Sequence, residues 1–454
     1  MGDTLEKFSK LVANVDAIVW GPVTIVALLG TGIYLTILLK GIQFRELGHA
    51  LYLGFIKRKE DGMEGEISHF QALMTALAGT VGTGNIAGVA GAIAVGGPGA
   101  LFWMWMTGLF GMASKYSEAL LAVKYREKDK NGEYIGGPMF YLEKGLKNKF
   151  LAVSFAVFTV IASFGIGNAV QSAEVTKAIN LSFGINMNLV GIILALMTAA
   201  VILGGIKNIG RVASAIVPTM ILVYVVGSMV IILMNSSLIL PAFGTIFKYA
   251  FTPHAMIGGG FGAMLSKTIQ KGVARGLFSN ESGMGSSAIA AAAAKSSNPK
   301  TQALVSMTQT FIDTIVVCTM TGLVIVMSGK YTEGLKGSVL TNKAFETLLP
   351  GTWGGLIVTI SLIFFAYSTI LGWSYYGEKS MEYLLGEKAS AKKIKTSVMI
   401  YRLFYCFVVY FGAVASADLV WNISDIANAL MVYPNLIGLV FLSKVIVEES
   451  NRVI

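Results

Sequence analysis

Apolar residues in this chain fall into long runs separated by short polar stretches. Eleven runs can be drawn as membrane-crossing helices. They cover residues 17–39, 67–95, 99–123, 150–179, 187–205, 212–235, 258–294, 301–328, 353–377, 397–416 and 419–443. Alternating them across a bilayer predicts an outside N-terminus and an inside C-terminus. Basic residues test that orientation, because Lys and Arg concentrate in cytoplasmic loops. The predicted inner segments hold 24 of them, and the outer ones hold seven.

The span 17–39 lacks a glycine cluster and reads as a peripheral helix. The other ten divide into two sets of five, residues 67–235 and 258–443. Five is odd, so the second set would run opposite to the first, as in an inverted repeat. The expected fold is an all-α polytopic membrane protein, one domain over 1–454, with eleven helices and a 5+5 core.

Within the second span lies Ala78-Gly79-Thr80-Val81-Gly82-Thr83-Gly84-Asn85. Glycines interleaved with β-branched residues make a poor helix centre. Two readings follow. The helix breaks here and its freed backbone groups hold a solute and an ion, or the glycines only let a neighbouring helix approach. A match in the second set favours the break: Gly283-Met284-Gly285-Ser286 repeats the Gly-x-Gly-polar order of Gly82–Asn85. A rival second break is Gly258-Gly259-Gly260-Phe261-Gly262.

Composition agrees with a membrane protein. Of 454 residues, 54% are hydrophobic and 13% charged, against about 25% charged in soluble domains, and the mean hydropathy is +0.68. The +10 charge is accounted for by the loops and does not imply nucleic acid. Cys318 and Cys406 sit in apolar runs and suggest no disulfide framework. The first twenty residues lack the cleavage site of a signal peptide. His49, His69 and His254 are scattered, and no nucleotide-binding or hydrolase motif is present. Nothing points to an obligatory protein partner or to an enzyme.

Several segments carry a family resemblance. They are Gly96-Gly97-Pro98-Gly99-Ala100-Leu101-Phe102-Trp103-Met104-Trp105, Gly111-Met112, Lys115-Tyr116-Ser117-Glu118, Gly136-Gly137-Pro138-Met139-Phe140-Tyr141, Arg275-Gly276-Leu277-Phe278-Ser279-Asn280-Glu281-Ser282-Gly283 and Phe311-Ile312-Asp313-Thr314. Together they resemble the alanine/glycine:cation symporter family. The resemblance implies sodium-coupled uptake of alanine or glycine across the plasma membrane on a LeuT-like fold. It also implies that a few relatives couple to protons instead. A sensor or channel on the same fold is a further alternative.

The first break suits an amino acid's charges. Amides opening the outer half-helix at Thr83 and Gly84 would take the carboxylate, with the Thr83 hydroxyl and the Asn85 amide nearby. The resemblance implies a sodium site between the carbonyls of Ala78 and Val81 and the eighth core helix. Ser368 and Thr369 would supply hydroxyls there and Phe365 a carbonyl. Hydroxyls in membrane helices also commonly bond back to the preceding turn. Gln171 could contact substrate or a neighbouring helix. Phe278, Asn280 and Met284 are candidate pocket walls at the second break. Trp373 could cap the substrate's side chain or anchor at the interface. Asp313 is the most deeply placed carboxylate, either supporting an ion site or pairing with Lys271 or Arg275. Lys115 and Glu118 read as a gate or anchor near the inner end of their span.

Overall fold

The structure, a computed structural model, describes residues 12, 14–15, 18–58, 64–130, 132–252, 261–296, 298–386, 389–415 and 417–452. Its described part is almost wholly helical, with one two-stranded hairpin, Glu127–Lys128 against Tyr134–Ile135. Among the described residues, six helices are long and apolar enough to cross a membrane: Lys149–Phe183, Gly205–Met234, Pro299–Ser328, Trp353–Leu385, Ala391–Val414 and Ser424–Phe441. A bent pair, His69–Thr80 with Gly84–Gly96, makes a seventh, and Pro22–Leu38 and Met187–Ile202 are shorter apolar helices. Ala100–Lys124 carries Lys115, Glu118 and Lys124 along an otherwise apolar helix.

The long helices differ in what they face. Trp353–Leu385 and Pro299–Ser328 have most of their apolar windows buried in protein, whereas Ala391–Val414 and Gly205–Met234 expose theirs. Leu222, Leu403 and Phe407 are each more than half exposed. Such surface is stable only against lipid. Between the inner helices, small residues allow close approach. Gly108 faces Thr314, and Gly111 faces Ser282.

Pro22–Leu38 packs on Ala100–Lys124 and Ala417–Phe441, and its Leu28 reaches Gly283 in the second broken segment. The helix expected to be peripheral therefore touches the core. Two helices, Ile239–Phe251 and Gly337–Leu348, lie between expected spans. Both are too short to register as apolar runs.

The helix His69–Thr80 begins with a capping box: Gln71 N–H donates to Ser68 Oγ, and Ser68 N–H donates to Gln71 Oε1. It ends at Val81, whose backbone is extended, and the chain turns by 49° before the next helix. A π-helical turn, Gly84–Gly88, opens that next helix. Thr321 and Thr341 donate hydroxyls to the carbonyls of Asn85 and Ile86 there (2.7 and 3.0 Å), as buried backbone in a membrane requires.

The second break is also present. Phe261–Asn280 ends, residues 281–287 are non-helical, and a short helix Ala288–Ala292 follows. Gly283 and Gly285 have φ of +86° and +80°, which side chains other than glycine adopt at a cost. Gly258, Gly259 and Gly260 of the rival stretch lie outside the described residues, while Phe261 and Gly262 belong to the helix. Gly276, Leu277 and Phe278 remain helical, and the non-helical stretch contains the Gly283–Ser286 match.

Candidate functional site: two broken helices

At the first break the backbone finds side-chain partners. Gly82 N–H donates to Asn85 Oδ1 (2.9 Å), and Thr83 N–H donates to Gln171 Oε1 (3.1 Å). The last carbonyls of His69–Thr80 thus lose helical donors. Ser368 Oγ lies 3.5 Å from the Ala78 carbonyl. Ser368 and Thr369 both donate back to the Phe365 carbonyl (2.8 and 3.0 Å), leaving their oxygen lone pairs available. Thr369 presses on Gly82: a Cβ there would lie 2.4 Å from Thr369 Oγ1 and 3.0 Å from Gln171 Oε1. Ala78, Val81, Phe365, Ser368 and Thr369 are all buried at this one junction. Carbonyls and hydroxyls are the donors a hard cation accepts.

The expected substrate residues divide. Thr83 Oγ1 is buried and, among the described residues, without a partner. Gly84 lies against Phe278 and Ser279, so the first break packs on the last turn of the helix that leads into the second. Gln171 is held at both ends, with Nε2 on the Ile166 carbonyl (2.9 Å). Its Oε1 takes the Thr83 amide expected for a carboxylate.

Asn85 does not extend its amide toward that carboxylate. Nδ2 donates to Asp313 Oδ1 at 2.7 Å, because a buried carboxylate must find donors. Asn280 is not a free pocket wall either. Its Nδ2 donates to Thr314 Oγ1 (3.0 Å), and its Oδ1 accepts from Ser282 N–H (2.9 Å), so it caps the break. Met284 is fully buried in the broken segment.

Trp373 is fully buried, which excludes an interfacial anchor. Its Nε1 donates to Glu281 Oε1 (2.7 Å) and lies 3.2 Å from the Gly79 carbonyl. Asp313 sits on a π-helical turn, Phe311–Cys318. It accepts from Asn85, from Ser279 Oγ (2.9 Å to Oδ2) and from Thr314 Oγ1 (2.8 Å). Those donors are neutral. Arg275, one of two cations weighed as a partner for Asp313, instead forms a forked pair with Asp425 (2.7 and 3.1 Å).

Lys115 and Glu118, expected as a gate or anchor, are both at most 1% exposed and clasp the second break. Lys115 Nζ donates to the Glu281 carbonyl (2.9 Å) and Ser287 Oγ (2.8 Å), and lies 3.5 Å from Glu118. Glu118 Oε1 accepts from Gly285 N–H (3.0 Å) and Asn435 Nδ2 (2.7 Å). Asn435 also reaches the Gly283 carbonyl (2.8 Å). The sequence reading missed Asn435. Its one signal is a buried-depth amide beside Pro434 in an apolar run.

A sequence model of the sodium:alanine symporter family matches residues 5–452. The sodium/alanine symporter AgcS of Methanococcus maripaludis is 55% identical over 452 residues, covering 98% of this chain and 97% of that one. An uncharacterised transporter of Haemophilus influenzae is 49% identical over 444 residues, covering 97% and 95%. Among solved structures, MhsT in complex with L-phenylalanine superposes with a TM-score of 0.61 at 15% identity, over 86% of this chain and 94% of that one. That last likeness is one of fold, and the fold is LeuT-like. A multi-pass membrane transporter rather than an enzyme, the chain belongs to the sodium:alanine symporter family.

Proposed function

We propose that this chain carries alanine, or glycine, into the cell together with sodium by alternating access. The observation that supports this most is the junction at the first break. A helix stops at Val81 beside the Ser368 and Thr369 hydroxyls, and a new one opens at Thr83. In this reading the carbonyls of Ala78, Val81 and Phe365 and the two hydroxyls hold sodium. The amides of Thr83 and Gly84 hold the carboxylate, which displaces Gln171 Oε1. The unpartnered Thr83 hydroxyl supports a polar ligand there. Phe278, Met284 and Trp373 are apolar bulk that keeps the pocket small. Asn85 and Asn280 act from behind, by holding the two breaks.

The same reading takes eleven spans, with 17–39 added to inverted repeats 67–235 and 258–443, the N-terminus outside and the C-terminus in the cytoplasm. The distribution of basic residues supports the orientation, and two breaks at matching places support the repeat. One sodium crossing 100 mV contributes about 2.3 kcal/mol, and a tenfold gradient adds about 1.4. Together they sustain an alanine gradient of several hundredfold.

The test is labelled alanine uptake into proteoliposomes with sodium outside, then with potassium or choline in its place. Accumulation only with sodium supports the proposal. Binding without accumulation would make the chain a sensor or channel. A second reading, proton coupling, draws on Asp313, a buried carboxylate among neutral donors. Uptake that follows pH and ignores sodium would replace the first reading with this one.

A further inference from the structure

A polar cavity of about 610 Å³ lies where Gly205–Met234 and Ala391–Val414 begin beside the end of Trp353–Leu385. Its walls carry five basic side chains, Lys207, Lys379, Lys392, Lys395 and Arg402. Three carboxylates share it, and all three are engaged. Glu378 forms a forked pair with Arg402 (2.7 and 2.9 Å), and Glu382 lies 2.9 Å from Lys379. The third, Glu133, is 3.8 Å from Lys379. Among the described residues, neither Lys392 nor Lys395 has a carboxylate within ion-pairing distance. Lys207 has a partner as well, Glu66 at 3.7 Å, so the cavity's excess of positive charge lies on Lys392 and Lys395. The first turn of Gly205–Met234, which has no side-chain cap, adds to it.

The rim decides what kind of anion fits. Leu203 lines the cavity and is half exposed, and Arg402 donates to its carbonyl (3.1 Å). On the helix that carries Lys392, Lys395 and Arg402, Ile400 and Leu403 are 61% and 57% exposed. Charged walls thus pass directly into surface that only acyl chains can cover. Basic pockets of this kind between membrane helices take anionic headgroups. We propose that this cavity holds the phosphate of an anionic phospholipid, with its chains over Leu203, Ile400 and Leu403. The proposal rests on the membrane reading, but on neither sodium coupling nor sidedness.

The test is thermal unfolding of the full-length protein in neutral detergent with added phosphatidylglycerol, phosphatidylcholine or soluble glycerol phosphate. A site-bound lipid raises the midpoint in a concentration-dependent way. The expected result is a rise with phosphatidylglycerol alone, mostly lost in Lys392→Gln/Lys395→Gln and kept in Lys343→Gln. Equal rises from the two lipids, or an unchanged rise in the double variant, would overturn the proposal. A full rise from glycerol phosphate would make this a soluble-anion site and overturn the lipid assignment. Stabilisation by sodium and alanine, read on the same samples, reports separately on the transport reading.

Discussion

The Trp373 indole nitrogen donates to Glu281 at 2.7 Å while lying 3.2 Å from the Gly79 carbonyl. One side chain thereby ties Trp353–Leu385 to both broken segments. Glu281 has a φ of +55°, a conformation that costs roughly 1–3 kcal/mol outside glycine. Its surroundings must hold it there. Trp373 and Ser286 donate to its carboxylate, and Lys115 donates to its carbonyl.

Trp373→Phe keeps an aromatic ring and removes the indole donor. The loss of a donor to a buried carboxylate should cost about 1–3 kcal/mol, read as a lower midpoint of thermal unfolding. Glu281→Gln should cost less, because its amide oxygen still accepts. The double variant should be less unstable than the sum of the singles, by about 1 kcal/mol. Strict additivity would mean that the contact does not link the two segments.

Thr369→Ala removes one hydroxyl from the proposed sodium site. The sodium concentration giving half-maximal uptake should rise about tenfold, equivalent to about 1.4 kcal/mol. The maximal rate at saturating sodium should change much less. Ser368→Ala should act in the same direction. Unchanged sodium dependence in both variants would remove the hydroxyl pair from the site.

Gly82→Ala tests the close approach at the first break. The added methyl would lie 2.4 Å from Thr369 Oγ1, and overpacking of this kind costs about 1–3 kcal/mol. Adding Thr369→Ala takes that oxygen away, although Thr369 Cβ would still be 3.3 Å away. The double variant should therefore unfold at a higher temperature than Gly82→Ala alone, without regaining transport. Equal midpoints would place the strain elsewhere.

The first break was legible because its cause is local: glycines and β-branched residues at one depth of an apolar run. The second was legible from its match to the first, Gly283-Met284-Gly285-Ser286 against Gly82–Asn85. The side-chain partners were not. Asn85 meets Asp313 across 228 positions, and Gln171 meets Thr83 across 88. Apolar runs give a residue's depth but not its direction around the helix. Depth likewise placed Lys115 and Glu118 on their span without showing that both turn onto the second break. Ile239–Phe251 and Gly337–Leu348 went unseen because a search for spans passes over short helices.

Orientation can be checked with single cysteines in a background lacking Cys318 and Cys406. Lys343 and Lys128 are both about half exposed, at 52% and 51%, so replacing either should be tolerated. A membrane-impermeant maleimide added to intact cells should label Lys343→Cys. It should label Lys128→Cys only after permeabilisation. The reverse pattern would invert the topology and, with it, the direction assigned to the two breaks.

Asp313→Asn places an amide where three donors converge. Its amide oxygen can keep the Asn85 donor, and its NH2 can face the hydroxyls of Ser279 and Thr314, which turn to accept. The midpoint of unfolding should therefore fall by less than the about 1–3 kcal/mol that an unpaired buried donor costs. Asp313→Ala, which leaves the Asn85 amide without that acceptor, should lose the full amount. Exchanging the pair, Asn85→Asp with Asp313→Asn, should be worse than Asp313→Asn alone: a carboxylate oxygen at 85 would face the residue-313 carbonyl, to which Asn85 Nδ2 donates at 3.2 Å. In the sodium reading Asp313→Asn should keep sodium-dependent uptake. Uptake by Asp313→Asn that no longer responds to pH, against a wild type that does, would instead assign Asp313 the coupling proton.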